Sequence, residues 1–88
     1  MSLTIDIRKK TYTYPIFTSN SAWLQDVLCR YDPDGSYWEA RFDFTPEKLE
    51  RIEREIRTIN LEATRLIGVL RQIKEEGCEQ YIYTGGTA

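Results

Sequence analysis

Three features of the sequence predict a small α+β domain. Residues near the N-terminus alternate apolar and polar side chains, aromatic residues around position 40 do the same, and a heptad-spaced apolar stripe then runs from Leu49 to Ile73. The expected architecture is a small antiparallel or mixed sheet packed by one long C-terminal amphipathic helix, in the order β-β-α-β-α-β. At 88 residues the chain is expected to be a single domain, 1–88. Within it, 2–44 forms a sheet-rich part, 45–77 the long helix, 78–84 a short strand and 85–88 a frayed tail.

Leu3, Ile5 and Ile7 alternate with Thr4, Asp6 and Arg8 and mark a strand over 2–8. Tyr12, Tyr14 and Ile16 alternate with Thr11 and Thr13 and mark a second over 11–17. Pro15 cannot donate to a ladder, so that strand is expected at an edge. Thr18-Ser19-Asn20-Ser21 offers helix caps, after which Trp23, Leu24, Val27, Leu28 and Tyr31 share a helical face. A strand over 24–31 is the rival reading, but its alternation is poor and a helix is favoured. Asp32-Pro33-Asp34-Gly35 is a turn on either reading. Trp38, Ala40, Phe42 and Phe44 then alternate with Glu39, Arg41 and Asp43, which puts the Trp and both Phe on the core face.

Thr45-Pro46-Glu47 starts the long helix, 46–76: Thr caps, Pro suits the first position and Glu meets the positive end of the dipole. Glu47–Arg51, Glu50–Arg54 and Glu53–Arg57 are i,i+4 pairs, each worth roughly 0.2–0.5 kcal/mol. Gly77 suits the end of the helix, Thr58-Ile59-Asn60 is a locally weak point where it can bend, and Tyr81–Thr84 reads as a last short strand.

The stripe Leu49, Ile52, Ile56, Ile59, Ala63, Leu66, Leu70 and Ile73 keeps alternating spacings of three and four. A helix over 46–76 would span roughly 46 Å at 1.5 Å per residue. A compact chain of this size has a radius of gyration of only about 12 Å. The helix should therefore overhang its own sheet and need a second chain, and Ile59, Ala63, Leu66, Ile67, Leu70 and Ile73 are the expected interface. Leu66→Glu is expected to break that assembly. In a parallel pair only Lys48–Glu53 among the g–e′ contacts is complementary, so an antiparallel helix pair or a sheet-plus-helix dimer fits better.

The formal charge is −2, with acidic and basic residues spread evenly, which argues against a general nucleic-acid binder. Histidine is absent. That removes Ser-His-Asp and Cys-His nucleophiles, imidazole acid–base chemistry and the commonest metal ligand. No cofactor or metal site is expected. Cys29 and Cys78 are expected as reduced thiols, and with no export signal or membrane-spanning stretch the expected location is cytoplasmic.

Two further constellations bear on function. If strands 11–17 and 81–84 lie side by side, Tyr12, Tyr14, Tyr81 and Tyr83 form a patch beside Arg8, Lys9 and Lys10. Such a patch could stack a nucleotide or hold an anionic metabolite. The alternative for each Tyr is an ordinary half-buried strand position. Glu39 and Arg41 share the wet face of their strand and are the pair on which a histidine-free ribonuclease or toxin would rest. The acidic turn fails as a calcium loop, since aligning its glycine puts Arg30 at the first ligand position. The expected function is a non-catalytic interaction or regulatory protein, acting as a homo-oligomer or a small subunit of a complex. A sequestering small-ligand binder, of the kind made by phages or mobile elements, is the alternative and the ribonuclease the third reading.

Overall fold

Alternation decides the sheet. In the computed structural model, which describes residues 2–87, β1 (Leu3–Lys9) turns Ile5 and Ile7 inward and Thr4, Asp6 and Arg8 to the opposite face. β2 (Pro15–Ser19) pairs with it antiparallel at the sheet edge, where Pro15 costs no ladder bond. It begins later than Tyr12 and Tyr14 suggest. The Arg8 guanidinium donates to the carbonyls of Lys9, Lys10 and Tyr12, which ties the intervening residues into a loop.

The segment after β2 is a helix, α1 (Ala22–Leu28), continued by a 3₁₀ turn over Cys29–Tyr31. It buries Leu24, Gln25 and Leu28. β3 (Glu39–Asp43) points Ala40 and Phe42 inward, and Phe44 is buried just beyond it. Trp38 is the exception to the expected core face, lying before the strand and 62% exposed. Its carbonyl accepts the Thr87 amide at 3.0 Å, and Tyr37 packs against the core in its place.

The largest correction concerns the long helix. Two helices, α2 (Pro46–Ile56) and α3 (Leu61–Glu76), replace the single one over 46–76. α2 starts as the sequence indicates, with Thr45 Oγ1 accepting from the Lys48 amide at 3.2 Å. At Asn60 the backbone is extended (φ −167°, ψ −173°), and the side chain accepts from the Ala63 amide at 2.9 Å. That cap begins a new helix. The chain reverses there, so that Leu70 of α3 comes beside Leu49 of α2, and Arg71 donates to Glu53 at 3.0 Å.

Packing overrides continuity. Folding back places both halves of the apolar stripe on one sheet, and Ile52, Ile56, Ala63, Leu66 and Ile73 are fully buried within a single chain. An unbroken helix of about 46 Å would have projected from a body whose longest dimension is 34 Å. The expected overhang does not arise, and the antiparallel helix pair is formed inside the chain.

β4 (Tyr81–Thr87) is longer than expected and lies in the middle of the sheet, whose order is β2-β1-β4-β3 with every ladder antiparallel. Gly85 and Gly86, read from the sequence as tail, are ladder residues, while Ala88 lies outside the described residues. One core joins the inner sheet face to all three helices. Cys29 is buried and Cys78 half-buried, both as free thiols. Among the described residues no helix is long and apolar enough to cross a membrane.

These placements separate two stripe residues that look equivalent in sequence. Leu66→Ala should lower unfolding stability in urea by roughly 2–5 kcal/mol, whereas Ile59→Ala, at a half-exposed turn, should change it by about 0.5 kcal/mol or less. Leu66→Glu should unfold the chain, which circular dichroism distinguishes from a loss of assembly alone.

Candidate functional site on the open face of the sheet

The ladder register arranges the uncovered face in rows. Asp6, Thr84 and Arg41 form one row, Thr4, Gly86 and Glu39 the next, and Arg8, Ile82 and Asp43 a third. Strands lie about 4.8 Å apart, so Asp6 and Arg41 stand about 10 Å apart across Thr84. Over the first two rows and beside Trp38 opens a groove of about 620 Å³. Among the described residues, Asp6, Glu39 and Arg41 have no ion-pair partner. The groove therefore presents two carboxylates, a guanidinium and an indole to solvent.

Glycines hold the wall in place. A Cβ on Gly86 would run into the Trp38 carbonyl and lie 3.2 Å from Glu39 Cα, so only glycine lets the backbones come this close. A Cβ on Gly85 would collide with Gln25 and the Tyr83 hydroxyl beneath the sheet. There the fully buried Gln25 donates through Nε2 to the Tyr37 carbonyl at 2.8 Å and accepts the Tyr83 hydroxyl at Oε1. Burial pushes the Tyr83 phenol pKa well up. The Tyr37 ring meets Trp38 edge-on at 5.2 Å. The exposed indole thus stands on a backbone fixed from both sides.

The Asp32 turn serves the same face. Asp32 Oδ2 accepts the Arg41 amide and Oδ1 the Asp34 amide, each at 2.7 Å, and the Asp32 carbonyl accepts from Gly35. The Arg41 bond first, then that of Asp34, holds this carboxyl below the usual aspartate range. What reads in sequence as a simple turn fixes the strand that carries Glu39 and Arg41.

The four tyrosines do not share a surface. β1 separates β2 from β4, Tyr81 and Tyr83 are buried, and Tyr12 and Tyr14 are exposed in the β1–β2 loop. The neighbouring cations have structural partners: Arg8 the loop carbonyls, Lys9 Glu76 at 3.3 Å and Lys10 Asp43 at 3.3 Å. Tyr81 donates to Glu76 at 2.8 Å, and burial followed by this carboxylate pushes its phenol up to about 12. Tyr31, bonded to Glu55 beside Arg30, is likewise pushed to about 12, chiefly by burial. Of the expected interface residues, Ala63, Leu66, Leu70 and Ile73 are buried against the chain's own sheet, Ile67 is half-buried and Ile59 is half-exposed.

Glu39 and Arg41 were legible as the wet side of a strand. Asp6, Thr84, Gly86 and Gln25 were not singled out, because only the register brings them under one groove. The continuing alternation Tyr81, Tyr83, Gly85 against Ile82, Thr84, Gly86 was the available signal. No protein-family model matches the chain, and neither the curated proteins nor the solved structures contain a match to it.

Two variants test this geometry. Gly86→Ala should destabilise the chain and shift tryptophan emission, because the new methyl group displaces the Trp38 backbone. Asp32→Asn should cost roughly 1–3 kcal/mol near neutral pH through a lost amide acceptor. A carboxyl whose folded pKa lies below the unfolded value of about 3.9 stabilises above that pH and loses the contribution as pH falls through the folded value. The stability gap between wild type and Asp32→Asn should therefore narrow as denaturation is followed below about pH 4.

Proposed function

We propose that the chain is a non-catalytic interaction module that holds a protein partner, a second copy or another subunit, against the open face of its sheet with the Trp38 groove at the centre. The observation that carries this reading is Trp38 itself, 62% exposed on a clamped backbone. A large rigid indole left in water gains from burial without much loss of freedom, and Trp is the residue type most enriched among interface hot spots. The surrounding charges support a protein partner. Asp6, Glu39 and Asp43 intersperse with Arg8 and Arg41, so the face offers no single-sign field of the kind that grips a phosphate backbone. The helices cover the other side of the sheet, and this face stays open to a partner.

One observation favours a second reading. Glu39 and Arg41 face the same groove as Asp6, and Trp38 could stack a base, so the histidine-free ribonuclease keeps a place to act. It requires RNA cleavage that disappears in Glu39→Gln.

Peptides selected from a displayed random library against the folded protein test the interaction reading. They should lose roughly thirtyfold in affinity on Trp38→Ala, as removal of a hot-spot Trp implies, and be unaffected by Tyr14→Ala in the distant loop. Peptides that bind Trp38→Ala as tightly as wild type would overturn it.

A further inference from the structure

The joint between α2 and α3 carries a pattern that the folded-back chain uses only in part. Ile56, Ile59 and Ala63 keep the three-and-four spacing straight through it, which is the repeat of one continuous helix. Residues 57–60 contain neither Gly nor Pro. Arg57 is already helical (φ −48°, ψ −37°), and the Ile59 amide already bonds the Ile56 carbonyl at 3.2 Å, one residue short of the α-helical partner. Asn60 leaves helical space, and Ile59, a stripe residue, is left 48% exposed.

We infer that the chain also forms a domain-swapped dimer, in which residues 57–60 become helical, α2 and α3 join into one helix, and α3 and β4 pack into the body of a second copy. The occupant is a second copy because the vacated places are complementary to this chain's own α3 and β4. Leu70 of one chain packs beside Leu49 of the other, Arg71 meets Glu53, and β4 enters between the other chain's β1 and β3. Native contacts are remade between chains at little cost, as in other swapped assemblies. Only the joint differs. Leu49 lies beside Leu70, and Pro46 lines the same crevice as Lys74, so the two straightened helices run antiparallel and cross near the joint, with Ile59 against Ile59 of the second copy. A helix of about 46 Å, too long for a body of 34 Å, fits a pair of bodies. Each Trp38 groove is then built by two chains, with Trp38, Glu39 and Arg41 from one and Thr84 and Gly86 from the other. The inference does not rest on what the groove binds.

Refolding from urea at low and at high chain concentration tests it. Concentrated refolding should double the native mass, and the dimer should survive dilution, because reversal requires the cores to open. Asn60→Ala, which removes the cap from the turn, should raise the dimer fraction several-fold, and Gly-Gly inserted between Ile59 and Asn60 should abolish it. The chain with Glu53→Cys and Arg71→Cys, and with Cys29→Ala and Cys78→Ser, reports the connectivity. Its oxidised dimer should run as a covalent dimer on a denaturing gel without reductant, and its monomer as a single chain. An oxidised dimer that separates into single chains, or a wild type and Asn60→Ala that both stay monomeric at every concentration, overturns the swap. If the cysteine variant fails to fold, the wild-type dilution experiment decides: a dimer that dissociates at once on dilution is a surface association and refutes the proposal.

Discussion

The two ladders of β4 hold together parts of the sheet that otherwise have no pairing with each other. β1 and β2 form one hairpin, β3 is reached only through α1 and the Asp32 turn, and β4 alone pairs with both β1 and β3. An isolated hairpin is marginal in water, so the sheet exists as a stable layer only once Tyr81–Thr87 is in place. Leu3 pairs with Thr87 and Lys9 with Tyr81, so this closure joins segments from opposite ends of the described chain. Closing so long a loop is entropically costly, and the compensation comes when α3 docks its apolar stripe. The same alternation within β4 sends Tyr83 to the core and Thr84 to the groove. Core and surface are therefore set by one register, and a slip by one residue would exchange them.

Local physics was legible, and the pairing of distant strands was not. β1, α1, the Thr45-Pro46 start of α2 and the edge position of Pro15 rest on propensities and caps that a short window contains. The apolar stripe was read correctly as a buried face, but its spacing says which side of a helix is covered and not by whom. Asn60 held the answer in plain view: a good N-cap residue three positions before Ala63, at a point already weak in helix propensity. Trp38 was misplaced because the chain bends at Tyr37 and Trp38, so the strand and its alternation begin only at Glu39. Gly85 and Gly86 looked like a tail because a residue without a side chain cannot display period two. The groove needed the register, and register between distant strands is not written in any single segment.

The core beneath the groove is polar at one point, and that point positions the site. Gln25 lies among apolar neighbours with both ends of its amide satisfied, by the Tyr37 carbonyl and the Tyr83 hydroxyl. A buried amide stripped of one partner costs about 1–3 kcal/mol, so the arrangement tolerates little shift of α1 against β4. Tyr37 is in turn the residue before Trp38 and packs against its ring. The backbone that carries the exposed indole is thus held by a hydrogen-bond network on the other side of the sheet.

The two rims of the sheet differ from its face in what they offer to other molecules. Arg41 sits on an outer strand, and its amide, which would otherwise solicit an incoming chain, is already taken by the Asp32 carboxylate. On the opposite rim Pro15 has no amide hydrogen to offer. Unsatisfied rim donors are the templates on which strands add end over end into filaments. Each rim thus lacks one donor that an added strand would use, which makes edge-to-edge addition less favourable at those two positions.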